Sequence, residues 1–277
     1  MPPAQRVYGV DFSSAPSPRK PITIAVGELH EDYYQLNQVV EVPGWAMFES
    51  FLQHEGPWLA GFDLPFSLPR ELIEHYGWPN QWTSFIQWYE QQPRESLRQA
   101  FKKFCQARPV GQKFVYRKTD RPAGSSPAMR WTNPPVAWML QAGAPRILRA
   151  GLCIPGLHSG MDAPHQQRVA LEAYPGFTAR HISRASYKSD QPAKQTPERL
   201  AVREQIVSAL IRGDESQTGL KVPLRMSKAW RGHLISDGSG DLLDAVICAL
   251  QAAHASQHPN YGLPLDMDPL EGWIASV

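Results

Sequence analysis

Apolar residues recur at sheet spacing from Val7 onward. Val7, Tyr8, Val10 and Phe12 make Val7–Ser14 read as a buried strand. Ile22–Leu29 and Tyr33–Val42 read as two more, joined by His30-Glu31-Asp32, a link short enough for a hairpin. Pro43-Gly44 breaks the pattern, and Trp45, Phe48, Phe51 and Leu52 then fall at helical spacing over Trp45–His54. Trp58–Asp63 is again an apolar run, a fourth strand ended by Pro65 and Pro69. The order to this point is β-β-β-α-β.

Residues 70–165 follow a different pattern. Glu71–Tyr76 and Trp82–Gln92 read as helices, as does Arg94–Ala107, where Leu97, Phe101 and Phe104 share a stripe. A loop rich in basic, aromatic, Gly and Pro residues runs from Arg108 to Asn133. Val136–Gln141 is expected as a short helix and Leu152–Pro155 as a short strand. The whole stretch is expected to be an insertion over one face of the sheet, within a single domain spanning residues 1–277. Val169–Pro175 reads as a fifth strand. Pro197–Arg212 reads as a helix with Pro in its first turn and Gly213 after its end. Gly238-Ser239-Gly240 precedes a final main helix over Asp241–Ala255.

Against this apolar background a few acids are out of place. Asp11 interrupts the first strand, Asp63 ends the fourth and Glu172 lies in the fifth. A carboxylate inside an apolar strand is costly unless a cation meets it. Asp241 and Asp244 are three apart on the last helix and so share a face. Singly, Asp63 is equally well read as a turn cap, and Asp241 as an acid favoured by a helix dipole. Together, clustered carboxylates repel one another unless a cation binds, and their hard oxygens suit Mg²⁺ or Mn²⁺. Two such ions about 4 Å apart can clamp the attacking and leaving oxygens of a phosphodiester. Lys188, after the fifth strand, and Arg199, opening the next helix, are candidate phosphate contacts or simply solvated cations.

Charge distribution sharpens this. Residues 91–150 hold twelve Lys/Arg against two acids, whereas the rest of the chain holds 16 basic and 24 acidic residues. A basic middle in an acidic body favours a polyanionic partner. Within it Lys113, Arg117, Lys118 and Arg121 are interleaved with Phe114 and Tyr116, a pattern suited to phosphates and unpaired bases. The alternative there is a solvated face with aromatics in a small core. Three separated cysteines, Cys105, Cys153 and Cys248, fit reduced thiols in a cytoplasmic protein. No signal peptide is expected, because strand character follows Arg6 directly. No apolar run approaches the roughly 18 residues of a membrane span. Gly156-Leu157-His158-Ser159-Gly160 lacks a central serine, so it is no nucleophile elbow. There is neither a Walker A loop nor an H-E-x-x-H pattern.

The β-β-β-α-β order with acids on strands one and four and on the last helix resembles the ribonuclease H-like fold. More closely, the chain resembles the domain-of-unknown-function 429 family, predicted nucleases of that fold. The resemblance rests on Gly9-Val10-Asp11-Phe12-Ser13, Gly61-Phe62-Asp63-Leu64-Pro65-Phe66-Ser67-Leu68-Pro69, Glu172-Ala173-Tyr174-Pro175, Tyr187-Lys188, Asp241-Leu242-Leu243-Asp244-Ala245 and Glu271-Gly272-Trp273-Ile274. It implies an α/β fold with a mixed five-stranded sheet, strand one central, and flanking helices. It also implies a metal-dependent nuclease with Asp11, Asp63, Glu172, Asp241 and Asp244 as candidate ligands of Mg²⁺ or Mn²⁺. Two rivals remain. One is a phosphotransferase of the sugar-kinase and actin superfamily, disfavoured because no glycine follows Asp11 in Phe12-Ser13-Ser14-Ala15-Pro16. The other is a non-catalytic nucleic-acid-binding or regulatory protein.

Overall fold

The first strand, β1 (Gln5–Asp11), sorts the molecule into two cores by its alternation. In the computed structural model, which describes residues 4–277, Tyr8 and Val10 pack into one apolar cluster and Val7 into another. β1 pairs antiparallel with β2 (Ile22–Leu29), which pairs antiparallel with β3 (Tyr34–Val42). The helix α1 (Trp45–Leu52) then leads to β4 (Trp58–Asp63), parallel to β1.

The next five helices cover one face. They are α2 (Arg70–His75), α3 (Trp82–Gln91), α4 (Arg94–Gln106), the short α5 (Asp120–Ala123) and α6 (Val136–Arg149). Leu72, Phe85, Tyr89, Phe101, Leu140 and Ile147 share a core with Val10 and Phe62. The stretch between β4 and β5 (Arg168–Glu172) thus supplies a hydrophobic layer of its own. Leu152–Pro155 forms no strand; Cys153 makes a single bridge to Val169. The helix expected to stop at Gln141 continues through Pro145 to Arg149. A proline inside a helix costs about 3 kcal/mol, and here the buried stripe through Ala144, Ile147 and Leu148 offsets it.

The opposite face is covered by α7 (Pro175–Ile182), α8 (Pro197–Arg212), α9 (Glu215–Thr218), α10 (Lys228–Ser236) and α11 (Asp241–Ser256). Between α9 and α10 a two-residue strand, β6 (Leu224–Arg225), adds parallel to β3. The sheet therefore has six strands, ordered β5-β4-β1-β2-β3-β6, not five. β6 is too short for alternation to mark it, and Pro223 stands just before it.

α11 lies directly on the sheet centre. A Cβ on Gly9 would stand 2.0 Å from the Ala245 carbonyl oxygen, and one on Gly61 2.3 Å from that of Cys248. Gly9 and Gly61 are register partners in β1 and β4. Two adjacent strands thus give up their side chains to let one helix approach. No helix among the described residues is long and apolar enough to cross a membrane.

Candidate active site

Side chains alternate along a strand, so Asp11 points to the same face as Gly9, and Asp63 to the same face as Gly61. That face is the one α11 covers. Asp11 and Asp63 are register partners on parallel strands, about 4.8 Å apart in the pairing direction. Ala245 and Ala249 straddle Gly9, which sets the first turn of α11, with Asp244, over these strand ends. Asp11, Asp63 and Asp244 therefore meet at one edge of the sheet, and Asp244 is fully buried.

The electrostatics follow from this crowding. Burial, then Asp244 and Asp63, push the Asp11 carboxyl well above the usual range. Burial, then Asp244, push Asp63 up to about 7, although Lys188 opposes the shift. Neither shift owes anything to a hydrogen bond among the described residues. Burial also raises Asp244, against the pull of Lys188 and Tyr187.

Lys188 supplies the cation of the cluster. Its ammonium donates to Oδ2 of Asp244, and the Tyr187 hydroxyl donates to Oδ1. Burial works against that ammonium, yet Asp244, Tyr187 and Asp11 hold it protonated far above the ordinary range. The loop carrying both residues is fixed from α8. Arg199 donates to the Lys188 carbonyl, and the buried Arg203 donates to the Tyr187 carbonyl at 2.7 Å and to that of Ile235 at 2.7 Å. Asp241 lies further out and is clamped by Lys20 at 2.9 Å, which also meets Asp190 at 3.1 Å. Both α11 acids sit in its first turn, where the dipole favours negative charge.

Glu172 is close to the cluster but differently employed. Arg117 donates to its two oxygens at 2.5 and 2.7 Å, and the Phe66 N–H donates to Oε2 at 2.9 Å. Arg117 also pairs with Asp120 at 2.8 Å, and all three side chains are buried. The expectation that Arg117 meets nucleic acid is therefore corrected. At 2% exposure its guanidinium cannot reach a phosphate, and it neutralises two buried carboxylates instead. Lys113, Lys118 and Arg121 are exposed, with Arg121 stacked over Tyr116.

Sequence reasoning brought Asp11, Asp63 and Asp244 forward because each is an acid in an apolar run. It assigned no role to Lys20, Tyr187, Arg203 or Asp120. Lys20, Tyr187 and Asp120 lie in polar or proline-rich stretches, and Arg203 is one of several charged residues on α8, so nothing local marks any of them as exceptional. Tyr187 stood beside Lys188 in one of the short matching segments, the one available signal.

Among the described residues, no three carboxylate, imidazole or thiolate groups already stand as a finished coordination set. The donor chemistry nevertheless fits a hard divalent cation. Among the described residues, Asp11 and Asp63 present hard oxygens without hydrogen-bond partners, and Asp244 presents oxygens held by one lysine and one tyrosine.

Compared with known proteins, the chain matches a family model described as "Protein of unknown function (DUF429)" over residues 9–266. No curated protein and no solved structure matches it.

Proposed function

We propose that this chain, which belongs to the DUF429 family, is a metal-dependent nuclease of ribonuclease H-like fold. The observation that carries the reading is the meeting of Asp11, Asp63 and Asp244, from two adjacent parallel strands and one helix, on one face of the sheet. The three antiparallel strands, the fourth parallel to the first, and acids on strands one and four and on the last helix support the fold assignment.

Asp11 and Asp63, with Asp244, are the residues that would hold Mg²⁺ or Mn²⁺; Asp241 flanks them from the same helix. Such ions, when bound, activate water and stabilise the charge developing on a phosphodiester in line with it. The chain's own contribution is positioning. Lys188 keeps a proton in the cluster and would offer its ammonium to a phosphate oxygen were Asp244 to hold a metal. Tyr187 fixes the Asp244 carboxyl plane. Glu172, tied to Arg117, holds the strand end beside Asp63 in place and is not needed as a ligand. The exposed Lys113, Lys118 and Arg121 supply attraction for the polyanion.

Asp11→Asn tests the reading, because it keeps the shape and deletes a ligand. Metal-dependent cleavage of nucleic acid is expected to fall by orders of magnitude. The metal-free melting temperature should hold or rise, since one member of a repelling cluster is gone. Mg²⁺ or Mn²⁺ should raise the melting temperature of the wild type and not that of the variant. A wild type indifferent to both ions, with a variant that melts lower, would make Asp11 a structural residue and remove the metal site.

A further inference from the structure

A cavity of about 450 Å³ opens directly beside the carboxylate cluster, with Asp63 and Lys188 in its wall. Its volume lies in the range of sites that take a small organic group, roughly 300–1,000 Å³. The lining is predominantly apolar. Val136 and Met139, at the start of α6, and Tyr174 and Pro175, at the start of α7, line the cavity together. One wall therefore comes from the layer inserted between β4 and β5, and the other from the sheet's own crossover. Neither Val136, Met139 nor Tyr174 is fully buried, so their surfaces are free for a ligand.

The lining also carries positive charge. Arg180 stacks over the Tyr174 ring at 5.1 Å and donates to the Ala123 carbonyl at 2.6 Å, which fixes its guanidinium. Arg184 is exposed and makes no ion pair among the described residues. Lys188 adds a cation on the cluster side, beside the Arg117–Glu172 pair that also lines the cavity. An apolar slot with an aromatic wall, cations along its lining and a carboxylate cluster at one end matches one repeating chemistry. That chemistry is a planar base joined through a sugar to phosphates.

Resting on the hydrolase reading above, we infer that this cavity receives a single unstacked nucleobase, so that the substrate is a single-stranded or frayed nucleic acid. The base enters between Met139 and Tyr174, and its phosphate is left at Asp63 and Lys188. A duplex keeps its bases stacked and reaches the slot only by extruding one, at a cost of a few kcal/mol. A single strand has no such cost, and base–aromatic stacking tolerates any sequence.

Binding separates this inference from the hydrolase reading. The probes are a short single-stranded oligonucleotide, an abasic sugar–phosphate strand of the same length, and the fully paired duplex, followed by fluorescence anisotropy without metal. The base-bearing strand is expected to bind at least about fivefold tighter than the abasic strand, in line with the stacking of one base. The duplex should bind no tighter than the abasic strand. Met139→Trp, which fills the slot, should abolish the difference by lowering the affinity of the base-bearing strand to that of the abasic strand. Val136→Trp fills the slot from one helical turn away and serves if Met139→Trp melts early. Equal affinity of wild type for base-bearing and abasic strands overturns the base slot. Cleavage of both strands with Mn²⁺ in that case leaves the nuclease standing. A clear base preference without any metal-dependent cleavage keeps the slot and overturns the nuclease. No binding of any strand overturns both.

Discussion

At Asp63 the chain carries a carboxyl that stays protonated up to about pH 7 in the metal-free protein. An unfolded aspartate titrates near 3.9, so between these values the folded state binds the extra proton. The slope of unfolding free energy with pH is then negative. Stability from this group is complete below the unfolded value and is lost as pH rises towards the folded one. Metal binding has the opposite sign, because ligands must be deprotonated. The metal-free melting temperature is thus expected to fall between about pH 4 and 7, and Asp63→Asn should flatten that fall. The gain from Mg²⁺ should grow over the same window. Identical melting at both ends, with an identical metal shift, would contradict this assignment. The acid was visible in the sequence because an apolar run makes a charge conspicuous. Its neighbours were not, since the partners of Tyr187 and Arg203 depend on which elements pack together, and no local pattern encodes that.

Among the elements, α11 and the paired glycines beneath it control the site. Gly9→Ala puts a methyl into the helix backbone, at 2.0 Å from the Ala245 carbonyl. Neither strand nor helix can yield there without displacing Asp244. A loss of about 1–3 kcal/mol or more is expected from such overpacking, read by denaturant unfolding, together with loss of metal-dependent activity. Wild-type stability in that variant would show that α11 does not rest on β1. The strands were the most legible elements; β2 and β4 begin and end where alternation and prolines place them. α8 was equally plain, bounded by Pro197 and Gly213. α7 was not, because Pro175 reads as the end of a strand when it is the first residue of a helix. α10 went unmarked for want of a clear apolar stripe; only Leu234 of its nine residues is buried. The burial of Arg117 also escaped the sequence, since a basic, aromatic loop looks the same whether its cations face water or two buried acids.

Across the whole molecule, the inserted layer carries exposed cations, among them Lys113, Lys118 and Arg121. If Lys113, Lys118 and Arg121 meet phosphates, changing all three to Ala should flatten the dependence of log affinity on log salt by about two units for a single strand. An unchanged slope returns them to plain surface. The C-terminal segment locks the two layers together. Glu271 accepts from the backbone N–H of Arg70 at 2.7 Å and of Lys118 at 3.0 Å, and the Ala275 N–H donates to the Glu172 carbonyl at 2.8 Å. The cluster likewise joins distant parts of the chain, since Asp11 and Asp63 lie on β1 and β4 and Asp244 on the last long helix. Ribosomes add about 5–20 residues per second, so the helix carrying Asp244 follows Asp11 by roughly 10–50 s. Through that interval a nascent chain holds two acids, no third, and no C-terminal lock. The three-acid site is therefore assembled only after α11 has been made, however early the strands beneath it form.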